Sequence, residues 1–233
     1  LMHANNEIGN FNDLVRIGDL CQAYGAYFHT DAVQTIGHCV LDLQALPVHA
    51  AVGSAHKFHG PKGVGLVYIQ GGTPMTPLIH GGAQERDIRG GTENVPGIIG
   101  LSKALELAHR HMEDDSKYIR QLKAHMIQQL QASIPGEHSN GASAHAQDSL
   151  YTILSVSLPP AESHDMLVFN LDIRKISVSV GSACASGSNT GSHVLKALDT
   201  DPLRGTVRCS FSKYNTYKEV DHVVAQLAQL SAG

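Results

Sequence analysis

The residue types best suited to chemistry surround Lys57. Residues 54–63 read Ser-Ala-His-Lys-Phe-His-Gly-Pro-Lys-Gly, so a lysine follows directly after an apolar, strand-like run. A lysine amine held on a rigid strand edge with a lowered pKa can form a Schiff base with a carbonyl compound. Most lysines that follow strands are solvated surface groups, however, so this segment alone leaves a surface role for Lys57 open.

A carboxylate ends the neighbouring predicted strand. Residues 26–30 read Ala-Tyr-Phe-His-Thr and lead into Asp31. A carboxylate at a strand end can pair with a protonated ring nitrogen of a bound cofactor. The alternative is that Asp31 caps a helix that begins at Ala32. Gln34, one turn further on, could bond a ring oxygen of the same cofactor or could be a solvated amide.

Cys184 lies in a run of small residues, since residues 181–188 read Gly-Ser-Ala-Cys-Ala-Ser-Gly-Ser. An isolated cysteine is more often a small packing residue than a nucleophile. The small polar neighbours nevertheless predict a mobile, exposed loop, which suits a reactive thiol. Cys21, Cys39 and Cys209 lie in helix-like or strand-like segments, and we interpret them as structural.

The elements that must position these groups alternate between helix and strand. Apolar spacing predicts a helix over residues 12–24 that ends at Gly25, and strands over residues 26–30, 50–54 and 64–69. Such alternation indicates an α/β sheet, in which polar chemistry collects at the carboxyl ends of strands. Asp31 and Lys57 both follow predicted strand ends.

The rest of the chain is predicted to be helical first and then mixed. Residues 94–134 read as two helices or one long kinked helix, which Pro135 and Gly136 end. Beyond them we predict strands at residues 151–158, near Ile176 and at 206–211. Helices are predicted at residues 161–171, at 189–198 and from Tyr217 onward. This second half is α+β in character, and we place the domain boundary near residue 108.

Composition and charge exclude several classes of protein. Lys plus Arg number 17 against 21 for Asp plus Glu, a formal charge of −4, which argues against a general nucleic-acid binder. No apolar run approaches the roughly 18 residues of a membrane span. Without an HExxH motif we expect no metal site. The 4 widely spaced cysteines, with no CxxC pair, favour a reducing cytoplasm. The abrupt opening at Leu1 is interpreted as part of a longer protein.

Five motifs in one order resemble the class V, fold-type I PLP-dependent enzymes, and within them the NifS/IscS group of cysteine desulfurases. They span residue 1 to about residue 230 and include the sulfur-accepting loop around Cys184. The motifs are residues 2–9 (Met-His-Ala-Asn-Asn-Glu-Ile-Gly), 29–34 (His-Thr-Asp-Ala-Val-Gln), 54–63, 80–92 and 180–187. The chain is similar to the C-terminal two-thirds of such an enzyme.

The resemblance implies a fold and a division into domains. Residues 1–108 would be the C-terminal part of a large mixed-sheet PLP-binding domain. Residues 109–233 would form a smaller α+β domain that carries the Cys184 loop. The missing upstream part would hold a Gly-Ala-Thr-type phosphate loop and a histidine stacked on the cofactor ring.

The resemblance also implies a role for each candidate residue in binding pyridoxal 5'-phosphate or the substrate. Lys57 would hold PLP covalently and later move the α-proton of the substrate. Cys184 would accept sulfur. Asp31 would contact the pyridine nitrogen and Gln34 the ring oxygen. Ser54 and His56 would hold the phosphate, together with Thr92 of the partner subunit. Asn6 would lie beside the ring oxygen and the substrate carboxylate, and Arg208 would bind that carboxylate.

The implied activity is removal of sulfur from L-cysteine, which gives L-alanine and a persulfide on Cys184. The implied partners are a second copy of the chain in a homodimer and a sulfur-acceptor protein for iron–sulfur cluster assembly or tRNA thiolation, with no nucleic acid or membrane partner. Three alternatives stay open. They are a selenocysteine lyase, another class V enzyme such as an aminotransferase, which needs no thiol, and a non-catalytic fragment that kept the fold.

Overall fold

The chain folds into two compact units. A computed structural model describes residues 1–161, 166–180 and 192–231. The first unit comprises Leu1–His3 and Asn12–Met112, and the second comprises Ala4–Phe11 and the chain from Glu113 onward. Residues 4–11 thus belong to the second unit, although the residues before and after them belong to the first. No local pattern in the sequence indicates this.

The first unit is built on a three-stranded sheet. Its strands are β1 (His29–Asp31), β2 (Ala50–Ser54) and β3 (Gly65–Ile69), in the order β1-β2-β3. β1 runs parallel to β2, whereas β2 and β3 are antiparallel. Met2 adds a parallel bridge to Asp31 on the outer side of β1. The predicted strands are therefore present, and both β1 and β2 end where the sequence indicated.

Two apolar clusters hold the elements of this unit together. Helix α1 (Leu14–Ala23) begins at Asp13, whose side chain accepts a hydrogen bond from the Arg16 amide, as an N-cap does. The first cluster joins Leu14 of α1 to buried residues that flank β1 and β2, namely Phe28 and Val48. The second cluster lies behind the strand ends and contains Ala32, Ile36, Ala55 and Phe58, with apolar residues 101–108 packed against it.

Helix α2 (Val95–Ser133) is a single element of 39 residues. The sequence had left open two helices or one kinked helix, and the structure shows one helix without a break. The division between the two units falls within it, between Met112 and Glu113.

The second unit is built on an antiparallel sheet. Its strands are β4 (His138–Ser139), β5 (Ile153–Pro160) and β6 (Arg204–Ser210), in the order β4-β5-β6. Helices α3 (Leu167–Ile173), α4 (His193–Ala197) and α5 (Tyr217–Ser231) complete it. The central strand β5 is buried along residues 153–158, and its two serines, Ser155 and Ser157, are hydrogen-bonded to the Asn140 side chain.

Several expectations for this unit differ from the structure. The helix predicted at residues 189–198 corresponds to the shorter α4, and residues 189–191 of the prediction lie outside the described residues. The predicted strand near Ile176 is wrong, because this stretch forms only an isolated bridge between Ser179 and Arg208. The helix predicted at residues 161–171 corresponds to α3, which runs from Leu167 to Ile173, and residues 162–165 of the prediction lie outside the described residues. Within the described ranges, no helix combines the length and the apolarity needed to cross a bilayer.

A buried lysine joins α2 to the turn that precedes β5. Lys123 is only 5% exposed, and its ammonium donates hydrogen bonds to the Ser149 hydroxyl and to the Leu150 carbonyl at 3.1 and 3.0 Å. Burial, with a smaller contribution from the charge of Arg120, lowers the pKa of Lys123 from 10.5 to about 8. The folded state therefore binds a proton at this site less tightly than the unfolded state does.

We predict that Lys123 makes stability rise with pH between about 8 and 10.5. In that window the unfolded chain keeps the Lys123 proton and the folded chain loses it, so the free energy of unfolding increases by up to about 3 kcal/mol. Urea unfolding of the Lys123→Met variant at pH 7 to 10.5 should lack this rise. Lys117→Met, an exposed change in the same helix, should keep it. An identical pH slope in both variants would contradict the prediction.

Candidate active site

The ends of two parallel strands bring most of the predicted cofactor residues to one sheet edge in the first unit. In the parallel register Asp31 of β1 faces Val52 of β2, so the two strands end side by side. The chain then leaves β1 through Ala32, whose amide donates to the Val52 carbonyl at 3.0 Å. The residues collected at this edge are Asp31, Ser54, His56 and Lys57.

Ser54 and His56 form a hydrogen-bonded pair directly after β2. The Ser54 hydroxyl lies 2.8 Å from Nδ1 of the exposed His56 ring. Ser54 precedes the short 3₁₀ helix Ala55–Phe58, yet its side chain makes no capping bond to that helix. The hydroxyl is thus directed to the imidazole. A hydroxyl and an imidazole held together at a helix start suit an anionic ligand.

Lys57 lies on a rigid backbone with an exposed side chain. Its neighbours Ala55 and Phe58 are 0% and 2% exposed and anchor the 3₁₀ helix in the core. The Lys57 carbonyl accepts a hydrogen bond from Nε2 of His38 at 2.8 Å. His59, in the left-handed conformation with φ of 66°, ends the helix. The lysine is therefore presented at the surface by a fixed main chain.

Asp31 has a local hydrogen bond and an exposed carboxylate. One of its oxygens, Oδ1, accepts from the Val33 amide at 2.9 Å. The alternative that Asp31 caps a helix is wrong, because turns and no helix follow it. Gln34 lies half-buried in these turns. An ionised carboxylate has about four acceptor positions, so the bond to Val33 is compatible with a second partner.

Asn6 and Arg208 come together in the second unit. Arg208 of β6 donates from Nη1 to the Asn6 carbonyl at 2.8 Å, across 202 positions of sequence. Its own main chain is held on both sides, by Ser155 in β5 and by a bridge to Ser179. A guanidinium has five N–H groups in a planar fork, a geometry suited to a carboxylate, and in Arg208 one of these groups, on Nη1, bonds the Asn6 carbonyl.

Thr92 and Cys184 are not joined to these groups in the structure. Thr92 is exposed in the extended stretch before α2, and its predicted contact with the phosphate across a dimer stays a prediction. Cys184 and the rest of its predicted loop, residues 181–191, lie outside the described residues.

The family follows from the sequence match. Residues 1–223 match the family model described as aminotransferase class-V. The chain belongs to this family. It is 39% identical over 232 residues to a protein of Dictyoglomus turgidum named cysteine desulfurase IscS, covering 99% of this chain and 58% of that protein. The chain therefore spans little more than half the length of this curated relative.

Solved structures of family members agree with the fold. A structure described as a NIFS-like protein is 36% identical and superposes with a TM-score of 0.85, covering 99% of this chain and 60% of its own. A structure of SspA in complex with cysteine is 30% identical, with a TM-score of 0.70 and coverage of 92% and 58%. The predicted fold class, a fold-type I PLP-dependent transferase of α/β architecture, is confirmed.

The edge in the first unit fits the pyridoxal phosphate of this family. Its donor set contains a hydroxyl and an imidazole for a phosphate, an exposed amine on a fixed backbone, and a carboxylate on the adjoining strand. The hydroxyl of Ser54, which caps no helix, is the observation that supports the fit most directly. These groups match the chemistry that a phosphate, an aldehyde and a pyridine nitrogen require.

Sequence reasoning missed three side chains that support these residues. His3 and His38 bond to the cofactor edge, and Glu7 supports the Asn6 turn. Glu7 is 2% exposed, and its carboxylate accepts a hydrogen bond from the Ser192 hydroxyl. The Asn5 side chain caps the same turn by accepting from the Glu7 and Ile8 amides at 2.8 and 3.0 Å. The Asn-Asn-Glu run was a visible signal for this turn, and His3 stands in the same motif of residues 2–9, whereas His38 had no signal in the sequence.

Cys209 is unsuited to nucleophilic chemistry. The residue is 8% exposed on β6, and burial raises the pKa of its thiol from 9.0 to about 12 despite the nearby charge of Arg208. Cys21 and Cys39 are half-buried, and Cys21 packs against the first apolar cluster. These positions agree with the interpretation that the three cysteines are structural.

We predict that Cys209 resists alkylation in the folded protein. A thiol pKa raised by about three units reduces the thiolate fraction at pH 8 by about three orders of magnitude, and burial blocks the reagent further. Iodoacetamide labelling followed by peptide mass spectrometry should show Cys209 unmodified until urea is added. Labelling of native Cys209 at the rate of a free thiol would contradict the described burial.

Proposed function

We propose that this chain is the part of a PLP-dependent cysteine desulfurase that carries the cofactor lysine, Lys57, and the sulfur-accepting cysteine, Cys184. The observation that carries the proposal is the sheet edge at which Asp31, Ser54, His56 and Lys57 follow two adjacent parallel strands. The named relatives support it, since cysteine desulfurases match 99% of the chain at 39–40% identity.

The first unit would bind the cofactor. When bound, PLP supplies an electron sink that stabilises negative charge at the substrate α-carbon. The Ser54 hydroxyl and the His56 ring would hold its phosphate, joined by Thr92 of the partner subunit. The Asp31 carboxylate would bond the protonated ring nitrogen, and Gln34 would bond the ring oxygen.

Lys57 would have two tasks. Its amine would attach the cofactor covalently and, once released by the substrate amine, would take up the α-proton. The 3₁₀ helix and the bond from His38 to the Lys57 carbonyl fix the main chain from which the exposed side chain extends. A fixed backbone with a flexible amine suits a group that must first bond and then act as a base.

The second unit would hold the substrate carboxylate. The guanidinium of Arg208 would bind the carboxylate, and Asn6 would bond the same carboxylate beside the ring oxygen. The bond between Arg208 and the Asn6 carbonyl holds these two groups together. The relative SspA, whose structure contains cysteine, supports cysteine as the substrate.

Cys184 would complete the reaction by accepting sulfur. Its thiolate would bond to the substrate sulfur while the bond from that sulfur to the β-carbon breaks. The electron pair stays on the β-carbon, which takes a proton, so the products are alanine and a Cys184 persulfide. The persulfide would then pass to an acceptor protein of iron–sulfur cluster assembly or of tRNA thiolation. We place this activity in a cytoplasmic homodimer.

We predict that Lys57 is the residue that carries the cofactor. Borohydride reduction of the PLP-loaded protein should leave a pyridoxyl group on Lys57, detected by peptide mass spectrometry, and Lys57→Ala should abolish the adduct while leaving the fold largely intact. Lys62→Ala, an exposed change in the same segment, should keep the adduct. A pyridoxyl group found on Lys62 in the unmodified protein would overturn the assignment.

We predict that Cys184→Ser separates substrate binding from sulfur transfer. The hydroxyl keeps the size of the side chain but lacks the soft nucleophile, so cysteine should still change the absorption spectrum of the cofactor. Alanine and sulfide formation over many turnovers should fall to background. Cys39→Ser serves as the control and should retain activity. Undiminished alanine formation by Cys184→Ser would rule out Cys184 as the acceptor.

A further inference from the structure

His3, a histidine outside the predicted site, makes hydrogen bonds to the turn that carries Asp31 and Gln34. The main-chain amide of His3 donates to the Asp31 carbonyl at 2.8 Å, and the Asp31 amide donates to the Leu1 carbonyl at 3.0 Å. The His3 carbonyl in turn accepts from the Asn12 amide at 2.8 Å. The backbone of His3 is therefore fixed against the end of β1.

The His3 ring reaches the other end of the same turn. Its Nδ1 lies 3.0 Å from Oγ1 of Thr35, a residue that is 0% exposed. The Thr35 hydroxyl donates its own proton to the Ala32 carbonyl at 3.3 Å, so it accepts from the ring. The Nδ1 nitrogen of His3 is therefore the donor. Burial lowers the pKa of His3, which favours the neutral ring, and a ring that carries its proton on Nδ1 donates this bond in either charge state.

The turn between these two contacts holds Asp31 and Gln34. Within it the Asp31 carboxylate accepts from the Val33 amide. Main-chain bonds from Thr35 and Ile36 to the Ala32 carbonyl close it. His3 thus ties the first residue of the turn to the last, Asp31 through its main chain and Thr35 through its ring, and together these bonds hold the backbone from which the Asp31 and Gln34 side chains extend.

We infer that His3 is a positioning residue that directs the Asp31 carboxylate and the Gln34 amide toward the cofactor ring. By orienting these two groups, His3 raises the affinity of the protein for PLP. The inference rests on the proposed function, because it takes Asp31 and Gln34 as ring ligands. His3 itself need not touch the cofactor or the substrate. Groups held in place before binding cost less to order on binding, so loosening them weakens affinity without removing any ligand.

The test compares four single variants and one double variant of the protein expressed from its complete gene. His3→Leu removes the donor, and His3→Asn keeps it, because the asparagine side-chain nitrogen occupies nearly the place of Nδ1. Thr35→Val removes the acceptor. His49→Leu is the matched control. His49 is another half-buried histidine of this unit that bonds the Phe28 amide at 3.0 Å, before β2 and away from Asp31.

The readout is the dissociation constant for PLP, measured by absorbance titration of the apoprotein, together with the melting temperature of each apoprotein. Loss of one buried hydrogen bond should raise the constant about five- to tenfold in His3→Leu and Thr35→Val. His3→Asn should stay within about twofold of the unmodified protein. The double variant His3→Leu with Thr35→Val should be no weaker than either single one. His49→Leu should lower the melting temperature without changing the constant.

Each outcome decides the inference. An unchanged dissociation constant for PLP in His3→Leu and Thr35→Val overturns the inference. A His3→Asn variant that binds PLP as weakly as His3→Leu also overturns it. If His3→Leu does not fold, the pair His3→Asn and Thr35→Val still decides, because only Thr35→Val should weaken binding. Failure of the unmodified protein to bind PLP would overturn the proposed function instead, so the two failures are distinguishable.

Discussion

Parallel pairing of β1 with β2 is the interaction on which the arrangement of the first unit depends. Parallel strands end at the same edge of a sheet, so the register of Asp31 with Val52 puts a carboxylate beside the segment that carries Ser54 and Lys57. Antiparallel pairing would have sent the two polar ends to opposite edges. β3 runs antiparallel to β2, so the chain that leaves β2 at Ser54 through the Lys57 segment returns at Gly65 along the same edge.

The second unit gathers its polar groups around one turn. The Asn6 carbonyl and the Glu7 carboxylate accept hydrogen bonds from Arg208 and Ser192, groups 202 and 185 positions away. Hydrogen bonds to charged groups are stronger than neutral ones, contributing about 1.5–3 kcal/mol each. A short turn therefore defines where a strand arginine and the start of a helix lie.

The sequence predicted the strand ends well because each is marked by a change from apolar residues to a polar group, at Asp31 and at Ser54. The sequence left open whether α2 is one helix or two, because residues 109–118 are mostly polar and break the apolar stripe. The contacts of His3 and His38 with the cofactor edge were beyond prediction. They join positions 32 and 19 residues apart, and only the folded chain brings such residues into hydrogen-bond distance.

The pairing of Leu1–His3 with β1 bears on the order in which the cofactor edge assembles. It joins positions 28 residues apart, as the bond from the Leu1 amine to the His29 carbonyl shows. The turn between β2 and β3 joins positions much nearer in sequence, since Ser54 pairs with Gly65. Closing a longer loop costs more entropy and is slower. We expect the Lys57 segment to reach its final place before Asp31 does, so that the carboxylate is the later of these two groups to arrive at the shared edge.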